Sequence, residues 1–327
     1  MDIRNISERL FPEDSPMVEN LTAAGTVEEP PPTAQTVFGV VLLVACLTGV
    51  LGNGLALQAL YACKALRQPK HYLVANLCVT NGLMCLVYCC STVPASFAHT
   101  WPFGELGRDV VGFSVSVMTV VLMTSQLAIA AQRVAVAASP LAAAYSITHG
   151  KMLTCVAATW VYSTVVMLPP LAGWNRFVVD RSGVSVTFDY AALDGISRAY
   201  TFSLLVLAFV VPLLGIVCCY SYIFVTVRRS RREAKLKHTE LTSRRDRKTV
   251  VVAMCLTALF CVSWTPCASV VVLTQCKVTV SVTYVMVAAA LAKCASSIDP
   301  MMFAFSLPVV RKYYCNRKRQ KEKYIVT

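Results

Sequence analysis

Seven long apolar stretches follow one another along the chain, and they restrict its possible folds more than any other feature. They lie at about residues 37–62, 72–96, 110–132, 152–172, 199–226, 248–273 and 279–305. Each reaches the roughly 20 residues that an α-helix needs to cross a bilayer. The sequence therefore predicts an all-α membrane protein, a bundle of seven transmembrane helices.

Positive charge predicts the orientation of this bundle. The net charge is +13, but Lys and Arg concentrate at 64–70, 228–248 and 311–323, all on one side of the predicted bundle. The positive-inside rule makes that side cytoplasmic and the N-terminus extracellular. Two glycosylation sequons, at Asn5 and Asn20, agree with this placement. The clusters suit acidic partners or anionic membrane lipid, and we expect no binding of nucleic acid.

Three segments follow from this topology. We expect residues 1–36 to form an extracellular tail and residues 37–305 to form the transmembrane domain. Residues 306–327 are expected to form a short amphipathic helix and a basic tail in the cytoplasm. With 56% apolar and 14% charged residues, the chain is far from the roughly quarter of charged residues typical of a soluble domain.

One charged residue, Lys293, interrupts the last apolar stretch near its middle. A lysine at the bilayer centre costs about 3 kcal/mol on insertion scales, so such a residue is normally functional. Snorkelling to the interface is the alternative, but Lys293 lies roughly two to three helical turns from either end of the stretch. Burial favours the neutral amine, which can condense with an aldehyde to a Schiff base.

Other kinds of site are not indicated. The histidines do not have metal-ligand spacing, and neither a phosphate-binding glycine loop nor a hydrolase triad is present. We therefore expect neither an enzyme nor a metal protein. Most of the 15 cysteines fall within apolar stretches, where they act as small apolar residues. Cys315 follows the last stretch beside basic residues, which suits palmitoylation, although a plain free thiol is equally compatible.

The chain resembles the rhodopsin-like G-protein-coupled receptors over about residues 37–315. The resemblance depends on landmarks in every predicted span: Asn53, Asn76-Leu77, Trp101 to Gly104, Arg133 with Pro140, Trp160, Pro212 with Tyr220, Ser263 to Pro266, and Asp299-Pro300. Each landmark alone is weak, since a Trp or Pro in a membrane helix usually serves packing. Their common order along the chain makes the signal strong.

Within that family the chain resembles the opsins. Lys293 lies seven residues before Pro300, as the retinal-bearing lysine of opsins does, and Pro169 to Phe177 with Phe188 to Tyr190 resembles the second outer loop. The resemblance implies covalent retinal on Lys293, with Trp264 packed against the polyene. From their positions in the sequence, four more residues are possible apolar neighbours of a long ligand: Phe260, Tyr284, Phe202 and Met123. For each aromatic residue among them, ordinary helix–helix packing is the alternative, and the more frequent one.

A protonated Schiff base needs a counterion, because an isolated buried cation loses its proton. The position of the glutamate of vertebrate visual opsins is Val111 here. The other opsin counterion position falls on Asp180, in the second outer loop, and Asp180 is the candidate by this resemblance. A solvated loop carboxylate is the alternative, and Asp109 and Glu105 are weaker candidates.

Several positions depart from the family pattern. By resemblance, one cysteine of the family's outer disulfide falls at Arg108 and its partner falls near Val186, so the disulfide cannot form, which puts the loop over the pocket in doubt. Asn81 replaces an aspartate that helps to bind sodium. The acidic-Arg-Tyr triplet reads Gln132-Arg133-Val134, and Asn-Pro-x-x-Tyr reads Asp299-Pro-Met-Met-Phe303. By resemblance, these changes weaken the switch between resting and active states.

Other parts of the switch are kept. Arg133, Tyr220 and Pro300 occupy the family positions, and Asp246 lies where relatives place an acid that holds this arginine. The alternative for Asp246 is one charge in a solvated basic run.

Three functions remain open at this point. The first is a light-activated receptor that signals to a heterotrimeric G protein on the cytoplasmic face, weakly if the altered motifs matter, with arrestin-like regulators as further partners. The second is an opsin that isomerises or stores retinal with little coupling. The third is a seven-helix receptor for another ligand, against which the surroundings of Lys293 argue.

Overall fold

The computed structural model describes residues 30–236, 258, 261–306, 310 and 313–314. Five of its helical segments are long and apolar enough to cross a membrane: Pro32–Ala62, Pro69–Ala98, Gly104–Ala138, His149–Ala172 and Gly195–Thr226. The shorter apolar helix Cys261–Gln275 (α9) overlaps the sixth predicted stretch and ends two residues beyond it, and Val282–Ser306 (α10) overlaps the seventh and ends one residue beyond it. Every predicted stretch thus contains helix among the described residues.

The first half of the chain supplies α1 (Pro32–Ala62), α2 (Tyr72–Cys90), α3 (Thr92–Ala98), α4 (Gly104–Ala138), α5 (Pro140–Ser146) and α6 (His149–Met167). The helix α4 extends beyond the apolar stretch 110–132 at both ends, because hydropathy marks the lipid-facing part of a helix and not its polar ends. The second stretch is broken at Ser91, whose φ of −127° and ψ of −75° are not helical. Pro94 follows three residues later and lacks the N–H that would continue the hydrogen-bond ladder.

The fifth span changes its helical pitch in the middle. It begins as α7 (Gly195–Leu204), passes through a π-helical segment at Leu205–Val210, and continues as α8 (Val211–Leu236). Pro212 lies two residues after the end of the π-helical segment, so its missing N–H falls where the normal ladder is already interrupted.

Two short strands lie between α6 and α7, and apolar periodicity did not predict them. Strand β1 (Phe177–Val179) pairs antiparallel with β2 (Val186–Phe188), with Phe177 opposite Phe188. Next to the turn, the Asp180 N–H donates to the Ser185 carbonyl over 2.8 Å. Gly183 turns the chain with a φ of 74°, in the left-handed region that suits glycine. We call residues 177–188 the hairpin.

Buried polar side chains form hydrogen bonds between the helices. Asn76 on α2 donates to the Ser125 hydroxyl on α4 over 2.9 Å and accepts from the Trp160 indole on α6 over 2.9 Å. Such contacts suit an apolar environment, where an unpaired amide would be costly. On the other side of α4, Gly215 of α8 lets the Leu127 side chain approach: a Cβ at residue 215 would lie 2.7 Å from it.

Several predicted sites lie outside the described residues. These are the glycosylation sequons at Asn5 and Asn20, the switch acid Asp246, the aromatic Phe260 and the lipidation site Cys315. The predicted amphipathic helix at 306–327 is also almost wholly outside them. Pro300 lies within α10, where the backbone alone is described.

Candidate functional site

A cavity of about 230 Å³ lies between the helices and the hairpin. Its volume is a little below the about 300–1,000 Å³ typical of ligand pockets. The wall is mainly apolar, and the charged residues among its described lining are Lys293 of α10 and Asp180 of the hairpin. An elongated apolar ligand with one reactive polar end fits such a wall.

The amine of Lys293 points into this space and not toward the bilayer surface. Its Nζ donates a hydrogen bond to the Ser185 hydroxyl over 3.0 Å. Ser185 is itself only 2% exposed, which argues against the snorkelling alternative. The ring centroids of Tyr88 and Phe38 lie 5.0 Å and 5.9 Å from Nζ, within the range of cation–π attraction. The contacts with Ser185, Tyr88 and Phe38 thus hold the amine at the wall of the cavity.

Asp180 occupies the end of β1 where the hairpin turns, and the turn itself orients its carboxylate. The Ser182 N–H donates to Asp180 Oδ1 over 2.9 Å, and the Ser182 hydroxyl donates to the same oxygen. Burial raises the pKa of Asp180 above its ordinary value, while the charge of Lys293 and the Ser182 hydrogen bonds lower it to a smaller extent. The Asp180 carboxylate is thus half-buried, oriented by Ser182, and lines the same cavity as Lys293.

The two weaker counterion candidates lie elsewhere. Arg108 Nε is 3.0 Å from Asp109 Oδ1, and Arg108 Nη1 is 3.8 Å from Glu105 Oε1. The Glu105 side chain is 88% exposed, and neither acid belongs to the described lining of the cavity. Arg108, which replaces the family's cysteine, therefore engages both acids at the start of α4.

The predicted apolar neighbours are placed unevenly. Trp264 of α9 and Met123 of α4 both line the cavity. Phe202 is 43% exposed and does not line it among the described residues, so that prediction is wrong. Tyr284 is also absent from the described lining, and its hydroxyl shares a 2.8 Å hydrogen bond with Ser269. Both fail because helical spacing alone does not tell which side of a wholly apolar helix faces inward.

Several lining residues escaped the sequence argument. Tyr88 lies beneath the amine of Lys293, Ser185 accepts its hydrogen bond, and Tyr190 follows the hairpin into the wall. A polar Tyr in an otherwise apolar stretch was the available signal for Tyr88. The sequence gives no signal for Ser185, because its contact with Lys293 joins residues that are 108 positions apart. The π-helical segment also contributes, through Ala208 and its neighbours, as π-helices often do at functional sites.

The switch residues that are described lie at the far ends of the helices. Tyr220 of α8 is buried, and Arg133 near the end of α4 is half-buried. The neighbouring Gln132 directs its amide to the Met152 sulfur of α6, at 3.4 Å. Gln132 thus bonds to a different helix, as expected for a residue that cannot form an ion pair with Arg133.

The helices long enough to cross a membrane, and the cavity that they form with the hairpin around one lysine, are features of a seven-helix membrane receptor. Residues 52–303 match the family model described as "7 transmembrane receptor (rhodopsin family)". The chain belongs to that family, and it is a multi-pass membrane protein.

The particular relatives are opsins, and the chain is a divergent opsin-like member of the family. It is 28% identical over 308 residues to Melanopsin-A of Danio rerio and 30% identical over 310 residues to Melanopsin of Rattus norvegicus. The matches cover 90% and 91% of this chain but 52% and 65% of those proteins. A third relative, named "Rhodopsin, GQ-coupled", from Mizuhopecten yessoensis, is 28% identical, with 84% of this chain and 58% of the relative covered.

The fold has a solved counterpart in the crystal structure of squid rhodopsin. The TM-score is 0.81 at 21% identity, and the match covers 92% of this chain and 88% of the other. The predicted seven-helix architecture is therefore confirmed.

Proposed function

We propose that this receptor is a photoreceptor that holds retinal as a Schiff base on Lys293, with Asp180 as the counterion, and signals to a heterotrimeric G protein. The observation that carries the proposal is the position of Lys293 Nζ: it lies in the wall of a mainly apolar cavity and donates to Ser185 in the loop that also bears Asp180. When bound, retinal would supply a conjugated chain whose shape changes on absorbing light.

The residues of the cavity fit such a group. Trp264 and Met123 offer apolar contact for a polyene, and Tyr88 offers a ring face beside the nitrogen. A cation at the nitrogen of Lys293 would lie near the Asp180 carboxylate, whose half-buried position makes the interaction stronger than in water. The hairpin contributes Asp180 and Ser185 to Phe188 to the wall of the site. By limiting the access of water there, it would slow hydrolysis of a Schiff base.

Signalling is supported by family membership and by the name of the Mizuhopecten yessoensis relative, which points to a partner of the Gq class. We propose that the N-terminus is extracellular, so that the basic clusters face the G protein. A retinal isomerase or storage opsin is the second candidate. The contact of Gln132 with Met152 favours it, because the family's acid–arginine pair at the end of α4 is absent.

The test of retinal attachment is direct. The chain is expressed, mixed separately with 11-cis and all-trans retinal, reduced with borohydride, and mapped for the retinyl-modified peptide. We expect modification at Lys293, and no pigment from Lys293→Ala. Lys151→Ala is the matched control, since Lys151 is exposed at the start of α6 and should leave the pigment unchanged. Modification at another lysine, or none, would refute the proposal.

Coupling is tested with the same pigment. Light-driven nucleotide exchange is measured across G-protein classes in the dark and after illumination. Exchange with a Gq-class protein supports the receptor function. A pigment that isomerises retinal in light without promoting exchange in any class would instead support the second candidate.

A further inference from the structure

The hairpin covers the cavity without the covalent link that its family normally uses. By the family resemblance, one cysteine position falls at Arg108 and the other near Val186, so another interaction must hold the turn that bears Asp180. Part of β1 is held by packing: a Cβ on Gly112 of α4 would lie 2.7 Å from the Phe177 ring, so the two backbones can approach only because residue 112 is glycine. This contact fixes the beginning of β1, but it does not reach the turn at 180–185.

The turn is held from α1 by one buried amide. Gln35, in the first turns of α1, is 5% exposed, and its Nε2 donates to the Ser182 carbonyl over 2.8 Å. Its Oε1 is 3.1 Å from His99 Nδ1, and an amide oxygen can only accept, so the ring nitrogen is the donor. Gly183 leaves room for the amide, since a Cβ there would lie 3.3 Å from Gln35 Nε2.

From Ser182 the contacts lead directly to the cavity. The N–H and hydroxyl of Ser182 both donate to Asp180 Oδ1, so the residue that Gln35 holds is the residue that orients the carboxylate. On the other side of the turn, Ser185 accepts from Lys293 Nζ. A second contact, Arg181 Nη1 to the Val280 carbonyl over 2.8 Å, holds the outer edge of the turn.

We infer that Gln35 is a positioning residue for the counterion, and that its hydrogen bond from α1 takes the place of the missing disulfide in holding Asp180 over Lys293. The inference rests on the proposed function, because it assumes that Asp180 serves a Schiff base. Gln35 suits this role better than Arg181: its side chain is buried, and both ends of its amide are engaged. A buried hydrogen bond resists competition from water, whereas an exposed one does not.

The variant Gln35→Met removes the amide but keeps the length of the side chain, so that it leaves the Ser182 carbonyl unpaired without opening a void. Gln58→Met is the matched control, because Gln58 lies on the same helix with an exposed side chain. Amide hydrogen exchange of peptides from 177–188, in retinal-free protein, reports on the turn itself. We expect about tenfold faster exchange in Gln35→Met, which corresponds to a lost buried hydrogen bond, and no change in Gln58→Met.

Two pigment measurements test the positioning of Asp180. In Gln35→Met we expect hydroxylamine to bleach the dark pigment about tenfold faster, and the pH midpoint of the visible band to fall. Among the described residues, the ionisable groups facing Asp180 are Lys293, Cys267 and Tyr190, and Gln35→Met leaves all three in place. Ser182→Ala should produce the same change, and the double variant should not exceed the larger single effect, since both act on one turn.

The outcomes separate this inference from the proposed function. Unchanged exchange in Gln35→Met would overturn it, as would faster exchange with an unchanged pH midpoint, because Gln35 would then hold the loop without positioning the counterion. Additive effects of Gln35→Met and Ser182→Ala would also overturn it. If the unmodified chain forms no pigment while Gln35→Met still speeds exchange, the proposed function fails and Gln35 is only a structural tie.

Discussion

Replacing Asp180 by Asn gives the sharpest test of the site, because it removes one charge and preserves the shape of the side chain. Asn Oδ1 can still accept from Ser182, so the turn should keep its conformation. What is lost is the attraction between the carboxylate and a protonated Schiff base on Lys293. The nitrogen should therefore release its proton at lower pH, and a visible pigment should absorb in the near ultraviolet at neutral pH.

The size of this change follows from the burial of the pair. Opposite charges about 4–6 Å apart, at an effective dielectric constant of about 20, attract by about 3–4 kcal/mol. At about 1.4 kcal/mol for each pH unit, the midpoint of the visible band should fall by about 2–3 pH units. A solvated carboxylate would contribute less than about 1 kcal/mol and shift the midpoint by less than one unit.

The assay is a pH titration of the dark spectrum. Glu105→Gln is the control, because it removes an acid that is 88% exposed at the start of α4, and it should leave the titration unchanged. Asp109→Asn tests the other acid that pairs with Arg108. A spectrum of Asp180→Asn that equals the unmodified pigment at every pH would refute the reasoning, and a shift in Asp109→Asn of the size expected here would transfer the role to Asp109.

Three further predictions concern stability and signalling. Gly112→Ala should lower the free energy of unfolding by about 1–3 kcal/mol, because the added methyl group would overlap the Phe177 ring. Thermal unfolding measures this loss. Gly54→Ala is the control and should lose no stability, because a Cβ at residue 54 would have nothing within 4 Å. In retinal-free protein the raised pKa of Asp180 means that the folded state binds this proton more tightly than the unfolded state does, so the free energy of unfolding should fall as pH rises through that pKa. Melting temperatures measured across pH should show this fall, and Asp180→Asn should abolish it. Asp246→Ala should raise basal nucleotide exchange by up to about fivefold, because it would remove the proposed ion pair with Arg133, a surface pair worth about 1 kcal/mol. Unchanged basal exchange would show that Asp246 is only one charge in a solvated basic run.

Hydropathy predicted what depends on the surrounding lipid and missed what depends on contacts between distant segments. The seven stretches and the inward lysine follow from the cost of placing polar groups in hydrocarbon, which every residue experiences locally. Pro94 indicates that the helix is interrupted nearby, because it lacks an N–H for the hydrogen-bond ladder. It does not indicate that Ser91 is the residue with the non-helical φ and ψ.

The hairpin and its contacts could not be read from the sequence in the same way. Its strands have only three residues each, too few for a periodic signal. Asp180 was located by resemblance, whereas Ser185 and Gln35 became visible only when the fold brought them to Lys293 and Ser182. Phe202 shows the reverse error: an aromatic residue in a span adjoining the cavity faces outward instead.

The π-helical segment at Leu205–Val210 sets how far the second half of the fifth span is rotated about the helix axis relative to the first half. An α-helix advances by about 100° for each residue, so deleting one residue from this segment would turn one half about its axis relative to the other. Leu204, before the segment, and Tyr220, after it, are both buried, and a continuous α-helix of the same residues could not keep both facing inward. The inward position of both residues thus depends on the number of residues between Leu204 and Val211 and not on their identity.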